Sequence, residues 1–163
     1  MDSESFKTRL LPFYKKLYRI AVRIVGDEAE DMVQEAYMKL WDKRKELENI
    51  DNDEAFCIQV LKNVCLDHLR SRHEAEKVSA EEVEIESETS TANKVESHDD
   101  LMKVLEIMEH LPPKQREALR LRSIADCSME EIEKAMGLSN INIRTLLSRA
   151  RKQLREQITV TYN

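Results

Sequence analysis

Glycine is nearly absent from this chain: 163 residues contain two, Gly26 and Gly137. Proline occurs only at positions 12, 112 and 113, and aromatic residues make up 5%. A chain so poor in turn-formers and 36% charged is expected to be almost wholly helical. No stretch of eighteen apolar residues is present, which excludes a long membrane-spanning helix. The opening MDSESFKTRLLPFYKK lacks the layout of a signal peptide. The expectation is a soluble, cytoplasmic protein without membrane insertion. The three cysteines, Cys57, Cys65 and Cys127, are odd in number and scattered, so no disulfide framework is expected. Cys57, Cys65, His68 and His73 lack the spacing of a zinc site, and both thiols fall on an apolar stripe. Paired carboxylates, a nucleophile elbow and a phosphate-binding loop are also missing. The sequence therefore points away from an enzyme and implies no cofactor and no metal.

The net charge of −6 argues against nucleic acid until it is mapped along the chain. Residues 1–78 carry 14 basic and 16 acidic side chains, residues 79–100 carry 1 and 8, and residues 101–163 carry 11 and 8. The acidity is concentrated in the middle, and the C-terminal part is basic on its own.

That basic part holds the most informative stretch, SMEEIEKAMGLSNINIRTLLSRARKQLR, from Ser128 to Arg155. Ser128 and Glu131 have the spacing of a capping box, so a helix should begin at Met129. Ile132, Ala135 and Met136 give it an apolar side, and Gly137 can take the positive φ that ends it. Ser139 can cap a second helix, with Ile143, Leu146, Leu147, Ala150 and Leu154 at the spacing of a buried stripe. Its other side carries Asn140, Asn142, Arg144, Thr145, Ser148, Arg149, Arg151, Lys152 and Arg155. These residue types reach base edges and phosphates, and a helix fits the major groove. A basic face alone is more often merely solvated. Joined to a short capped helix and a Gly-centred turn, it reads as a DNA-binding helix-turn-helix.

Further upstream, Phe6 to Val25 reads as a helix interrupted by Pro12 and ended by Gly26, its basic residues a solvated face. Asp27 to Lys45 reads as the clearest helix, with Met32, Val33, Ala36, Tyr37, Leu40 and Trp41 as a core stripe. Asp31, Gln34 and Glu35 point elsewhere, and periodicity leaves two readings open: helix-start chemistry or a partner surface. Glu46 to Glu54 reads as a polar loop, and Ala55 to Arg72 as a third helix with a mixed polar side. Residues 74–98 are rich in Glu and Ser and poor in large apolar residues, so they read as an acidic flexible linker. The expected organisation is all-α: a helical domain over 1–73, the linker, and a helix-turn-helix domain over 99–163.

Three stretches together resemble a bacterial RNA polymerase sigma factor of the extracytoplasmic-function (ECF) group. They are DEAEDMVQEAYMKLWDKR, AFCIQVLKNVCLDHLRSR, and LPPKQREALRLR followed by SMEEIEKAMGLSNINIRTLLSRARKQL. The resemblance implies a function: binding core RNA polymerase, directing it to −35/−10 promoters and helping to melt the −10 region. It assigns Asp31, Gln34 and Glu35 to polymerase, with Trp41 in the supporting core. Asn49, Ile50, Asp51, Asn52 and Asp53 match the family's loop that captures a flipped −10 base. Asn63 matches a strand-contacting residue, with Lys62, Arg70 and Arg72 near phosphates. Arg144, Thr145, Ser148 and Arg149 match the face that contacts −35 DNA. Phe56 stands where many members have Trp, and Leu146 where many have Arg. Many members are held by an anti-sigma factor, so such a partner is implied. The rival readings are a self-sufficient helix-turn-helix regulator and a helical adaptor for an acidic protein.

Overall fold

The computed structural model describes residues 1–79 and 100–162, and all regular structure among them is helical. The chain divides into two units, Met1–His73 and Glu74–Asn163, each with its own core.

In the first unit, helix α1 spans Ser3–Leu10, with the Asp2 carboxylate accepting the Ser5 N–H at its start. Pro12 lies in a 3-10 turn, Leu11–Phe13, because its ring cannot continue an α-helix from α1. Helix α2, Tyr14–Val25, then ends at Gly26, whose φ of 67° and ψ of −123° favour a residue without Cβ. A 3-10 turn, Gly26–Glu28, leads into α3, Ala29–Asp42, which packs on α2. Leu10, Leu17, Ala21, Ile24, Val33, Ala36 and Leu40 are fully buried there. They are the apolar positions that helical spacing assigns to the core.

The long helix expected over Asp27–Lys45 is broken at Lys43, and a short α4, Arg44–Leu47, follows. Arg44 explains the break. Its Nη1 donates to the Trp41 carbonyl at 3.0 Å, and its guanidinium carbon lies 4.3 Å from the Trp41 ring centroid. The terminal carbonyl is satisfied by a side chain instead of by another helical turn. Trp41 is consequently not core: it is 36% exposed, edge-on to Phe6 at 5.1 Å between ring centroids. Leu47, within the expected polar loop, is fully buried.

Helix α5, Asp53–Ser79, buries Cys57, Leu61, Val64, Cys65 and Leu69. It runs past the expected end at Arg72, so residues 74–79, expected as linker, are helical. No Gly or Pro occurs between Gly26 and Pro112, and Glu74, Ala75, Glu76 and Lys77 are good helix formers. Nothing in that composition stops the helix. The remainder of the expected linker, residues 80–98, lies outside the described residues.

The second unit contains α6 (Asp100–Glu109), α7 (Pro113–Leu119), α8 (Met129–Met136) and α9 (Asn140–Tyr162). Pro113 sits in the first turn of α7, where a missing N–H costs nothing. A π turn, Arg120–Ile124, follows α7. Helices α6, α7 and α8 all pack on α9, around Leu111, Ala118, Leu121, Ile132, Ala135, Ile143 and Ala150.

Tyr37 ties two elements of the first unit, its hydroxyl donating to the Leu10 carbonyl at 2.9 Å. Burial pushes its phenol up from 10.0 to about 12. A folded value above the unfolded one means that this stabilisation is complete below pH 10 and is lost as pH rises through 12. Tyr37→Phe should cost about 1 kcal/mol at pH 7 and progressively less between pH 10 and 12, measured by urea unfolding. A cost that stays constant across that range would contradict the linkage.

Candidate nucleic-acid and partner interfaces

The helix-turn-helix forms as its local chemistry dictates. Ser128 Oγ accepts from the Glu131 N–H at 3.1 Å, and Glu131 Oε1 accepts from the Ser128 N–H at 2.9 Å. Gly137 takes φ 67° and ψ 29°, the left-handed conformation that closes α8. Ser139 Oγ then accepts from the Asn142 N–H at 3.3 Å, which starts α9. Ala135 is fully buried, so α8 keeps a small side chain in its packed face.

On α9 the buried positions are Ile143, Leu147 and Ala150. Asn142, Arg144, Thr145, Ser148, Arg149 and Lys152 are exposed together, and Asn140 is half-buried at the first turn. Helical spacing gathers these side chains on the surface turned away from the packed core. Two arginines of the same unit serve the fold: Arg116 Nη1 donates to the Glu109 carbonyl and Arg122 Nη1 to the Cys127 carbonyl, each at 2.9 Å.

In the first unit Asp31, Gln34 and Glu35 are all exposed on α3. Met38, 69% exposed, extends their surface at the i, i+3, i+4, i+7 spacing of one helix face. Sequence reasoning missed Met38. Its signal was an apolar side chain outside the buried stripe, beside acids. Glu35 lies 3.8 Å from Lys39, an exposed pair that holds it only weakly.

The loop Asn49–Asp53 divides in use. Asn49 and Asp51 are exposed and Ile50 is half-buried. Asn52 Oδ1 accepts the Ala55 N–H at 3.0 Å and so caps α5. Asp53 is gripped by Arg9: Nε donates to Oδ2 at 3.0 Å and Nη2 to Oδ1 at 2.7 Å, while Nη2 also reaches the Leu47 carbonyl at 3.2 Å. Hydrogen bonding to Asp53 raises the Arg9 pKa above its ordinary value. Glu54 pairs with Lys16. The capping pair thus anchors one end of the loop and leaves its middle presented outward.

On α5, Asn63 is exposed and its Oδ1 accepts from Gln59 Nε2 at 3.3 Å. Lys62 and Arg70 are half-buried. Arg72 lies 3.8 Å from Glu28 Oε2, which also meets His68 Nε2 at 2.5 Å. Glu28 therefore joins the α2–α3 turn to the basic end of the α5 core segment.

The sigma-70 region 2 model matches residues 11–74, and the sigma-70 region 4 model matches residues 101–154. The chain is 29% identical over 144 residues to the RNA polymerase sigma-E factor of Streptomyces coelicolor, covering 87% of this chain and 79% of that protein. It is 33% identical over 149 residues to the Mycobacterium tuberculosis protein named Probable ECF RNA polymerase sigma factor SigI, covering 86% of this chain and 51% of that one. The chain thus spans about half the length of the second relative. A solved structure of the sigma factor RpoE with the anti-sigma factor NepR from Bartonella quintana matches with a TM-score of 0.49 at 29% identity, over 96% of this chain and 98% of that one. Two helical units carrying these two region models in order define a sigma-factor architecture. The chain belongs to the sigma-70 family, within its extracytoplasmic-function group.

The Arg9 fork generates a test. Arg9→Ala should destabilise the first unit by about 1–2 kcal/mol, the value of hydrogen bonds to a charged group discounted for partial exposure. Arg9→Lys should recover less than half, because an ammonium cannot make the paired contact. Equal stability of Arg9→Lys and wild type in guanidinium unfolding would show that the fork geometry does not matter.

Proposed function

We propose that the chain binds core RNA polymerase, directs it to promoters with −35 and −10 elements, and helps to melt the −10 region. The observation that supports this best is the division of exposed polar surfaces between the two units. An acidic face on α3 and a polar loop beside α5 occur in the region 2 unit, and a basic helix-turn-helix face occurs in the region 4 unit.

In this reading Asp31, Gln34 and Glu35 contact polymerase, with Met38 adding apolar area at their edge. Asn49, Ile50 and Asp51 meet the displaced −10 base. Asn52 and Asp53 hold that loop in place, and Lys62, Asn63, Arg70 and Arg72 follow the strand. Asn140, Asn142, Arg144, Thr145, Ser148, Arg149 and Lys152 engage the −35 duplex. Extruding a base costs a few kcal/mol, and a small unit of modest charge does not supply this alone. Polymerase contributes by holding both units against one promoter, so the second contact forms at high effective concentration. The protein supplies recognition and no catalytic group; nucleotidyl transfer belongs to polymerase. It acts in the cytoplasm, and an anti-sigma factor completes the proposed set of partners. Among the described residues no helix is long and apolar enough to cross a membrane.

Run-off transcription with core polymerase on a pool of genomic promoter fragments tests the reading. Transcripts that depend on the protein should come from fragments sharing two elements. Tight binding to one DNA fragment without polymerase, and no transcripts, would instead indicate a stand-alone regulator. Arg149→Ala should weaken −35-dependent promoter binding by about 1–3 kcal/mol, the value of a bidentate base contact, in holoenzyme titrations. Replacing Asp31 and Glu35 together by Lys should abolish association with core polymerase, measured by size-exclusion chromatography. Both side chains are exposed, so helical circular dichroism should be unchanged.

A further inference from the structure

The outward face of α9 has an apolar centre. Ile141 is 76% exposed, in the first turn of the helix, and takes no part in the core. On a 3.6-residue helix Ile141, Thr145, Ser148 and Lys152, at offsets of 0, 4, 7 and 11, lie along one line, opposite the buried Ile143, Leu147 and Ala150. Thr145 belongs with Ile141 chemically as well. Its Oγ1 donates to the Ile141 carbonyl at 3.0 Å. With its donor bound to the helix's own backbone, Thr145 has its γ-methyl and an acceptor left to offer, and no free hydroxyl proton.

A β-branched residue at an exposed first-turn position gains nothing from burial and is a weaker helix former than a straight-chain polar one. It shares the exposed face with Asn142, Arg144, Ser148 and Arg149, a set complementary to nucleic acid. In the major groove thymine alone among the four bases presents a methyl group, and apolar side chains read it. We infer that Ile141 and Thr145 form a two-residue apolar ridge that selects thymine methyl groups in the −35 duplex, between flanking arginines that hold phosphates and guanine edges. The inference rests on the −35 assignment of α9 and names the base feature that this face recognises.

Promoter duplexes recovered by transcription are remade with each −35 thymidine, on either strand, replaced in turn by deoxyuridine. That change removes the 5-methyl and keeps the base pair. With wild-type holoenzyme, one or two positions should each lose roughly three- to fivefold in affinity, the value of one buried methyl. The loss at one position should vanish in Ile141→Ala, and at a neighbouring position in Thr145→Ser. Ile141→Ala should leave the salt dependence of binding unchanged, whereas loss of a phosphate-contacting cation lowers its slope.

The inference is overturned if wild type tolerates deoxyuridine throughout the −35 element, if the element has no thymine on either strand, or if the methyl penalty survives both substitutions. It is also overturned if Ile141→Ala disrupts association with core polymerase and leaves the deoxyuridine penalties intact, since the ridge would then serve a protein partner. Binding that ignores the whole −35 sequence, in wild type and in Arg149→Ala alike, overturns the underlying −35 assignment instead.

Discussion

The Arg9 guanidinium bridges parts of the first unit that are far apart in sequence. It reaches from α1 to the Asp53 carboxylate at the head of α5 and to the Leu47 carbonyl at the end of α4. These two attachments bracket the Asn49–Asp53 loop. Without them, the exposed middle of the loop would sample many conformations, and ordering it would cost conformational entropy. The pair is partly shielded, with the Arg9 and Asp53 side chains 34% and 22% exposed, so water and salt weaken it less than an open surface pair. Tyr37 adds a second cross-tie, from α3 to the end of α1. A domain of this size has a small apolar core, and directional bonds of this kind supply the register that packing alone leaves loose.

Most of the helical plan was legible in the residues. Gly26, Gly137 and Pro12 mark ends or breaks, and the Ser128–Glu131 box marks a start, because each acts through local backbone chemistry. Three features depended on side-chain contacts and packing or on the absence of a signal. The break at Lys43 follows from Arg44 folding back on Trp41, a choice that helical periodicity does not encode. The burial of Leu47 inside a polar stretch requires the unit's core to be assembled first. The continuation of α5 to Ser79 came from composition: a Glu-rich run low in large apolar residues reads as linker, yet the same residues propagate a helix that has already been nucleated by packing.

The candidate surfaces were legible to a similar degree. Polar residues on α3 and α9 stand exposed where spacing puts them. Spacing could not show which polar residues the fold already employs. Asp53, Asn52, Arg116 and Arg122 have the types expected of a nucleic-acid surface, and all four make hydrogen bonds within the protein. Conversely, Met38 and Ile141 are apolar and so escaped a search for polar contacts. Each is an exception to the buried stripe of its own helix.

The length of α5 has a geometric consequence. Residues 74–79 continue the helix beyond the core segment that ends at His73. On an α-helix each residue turns the backbone by about 100° and advances it by about 1.5 Å. The azimuth of Ser79 is therefore set by how many helical residues lie beyond His73. Adding or deleting a single residue there would turn the end of α5 to a different side of the helix while barely changing its reach. The phase of the helix thus fixes which way its last turn faces.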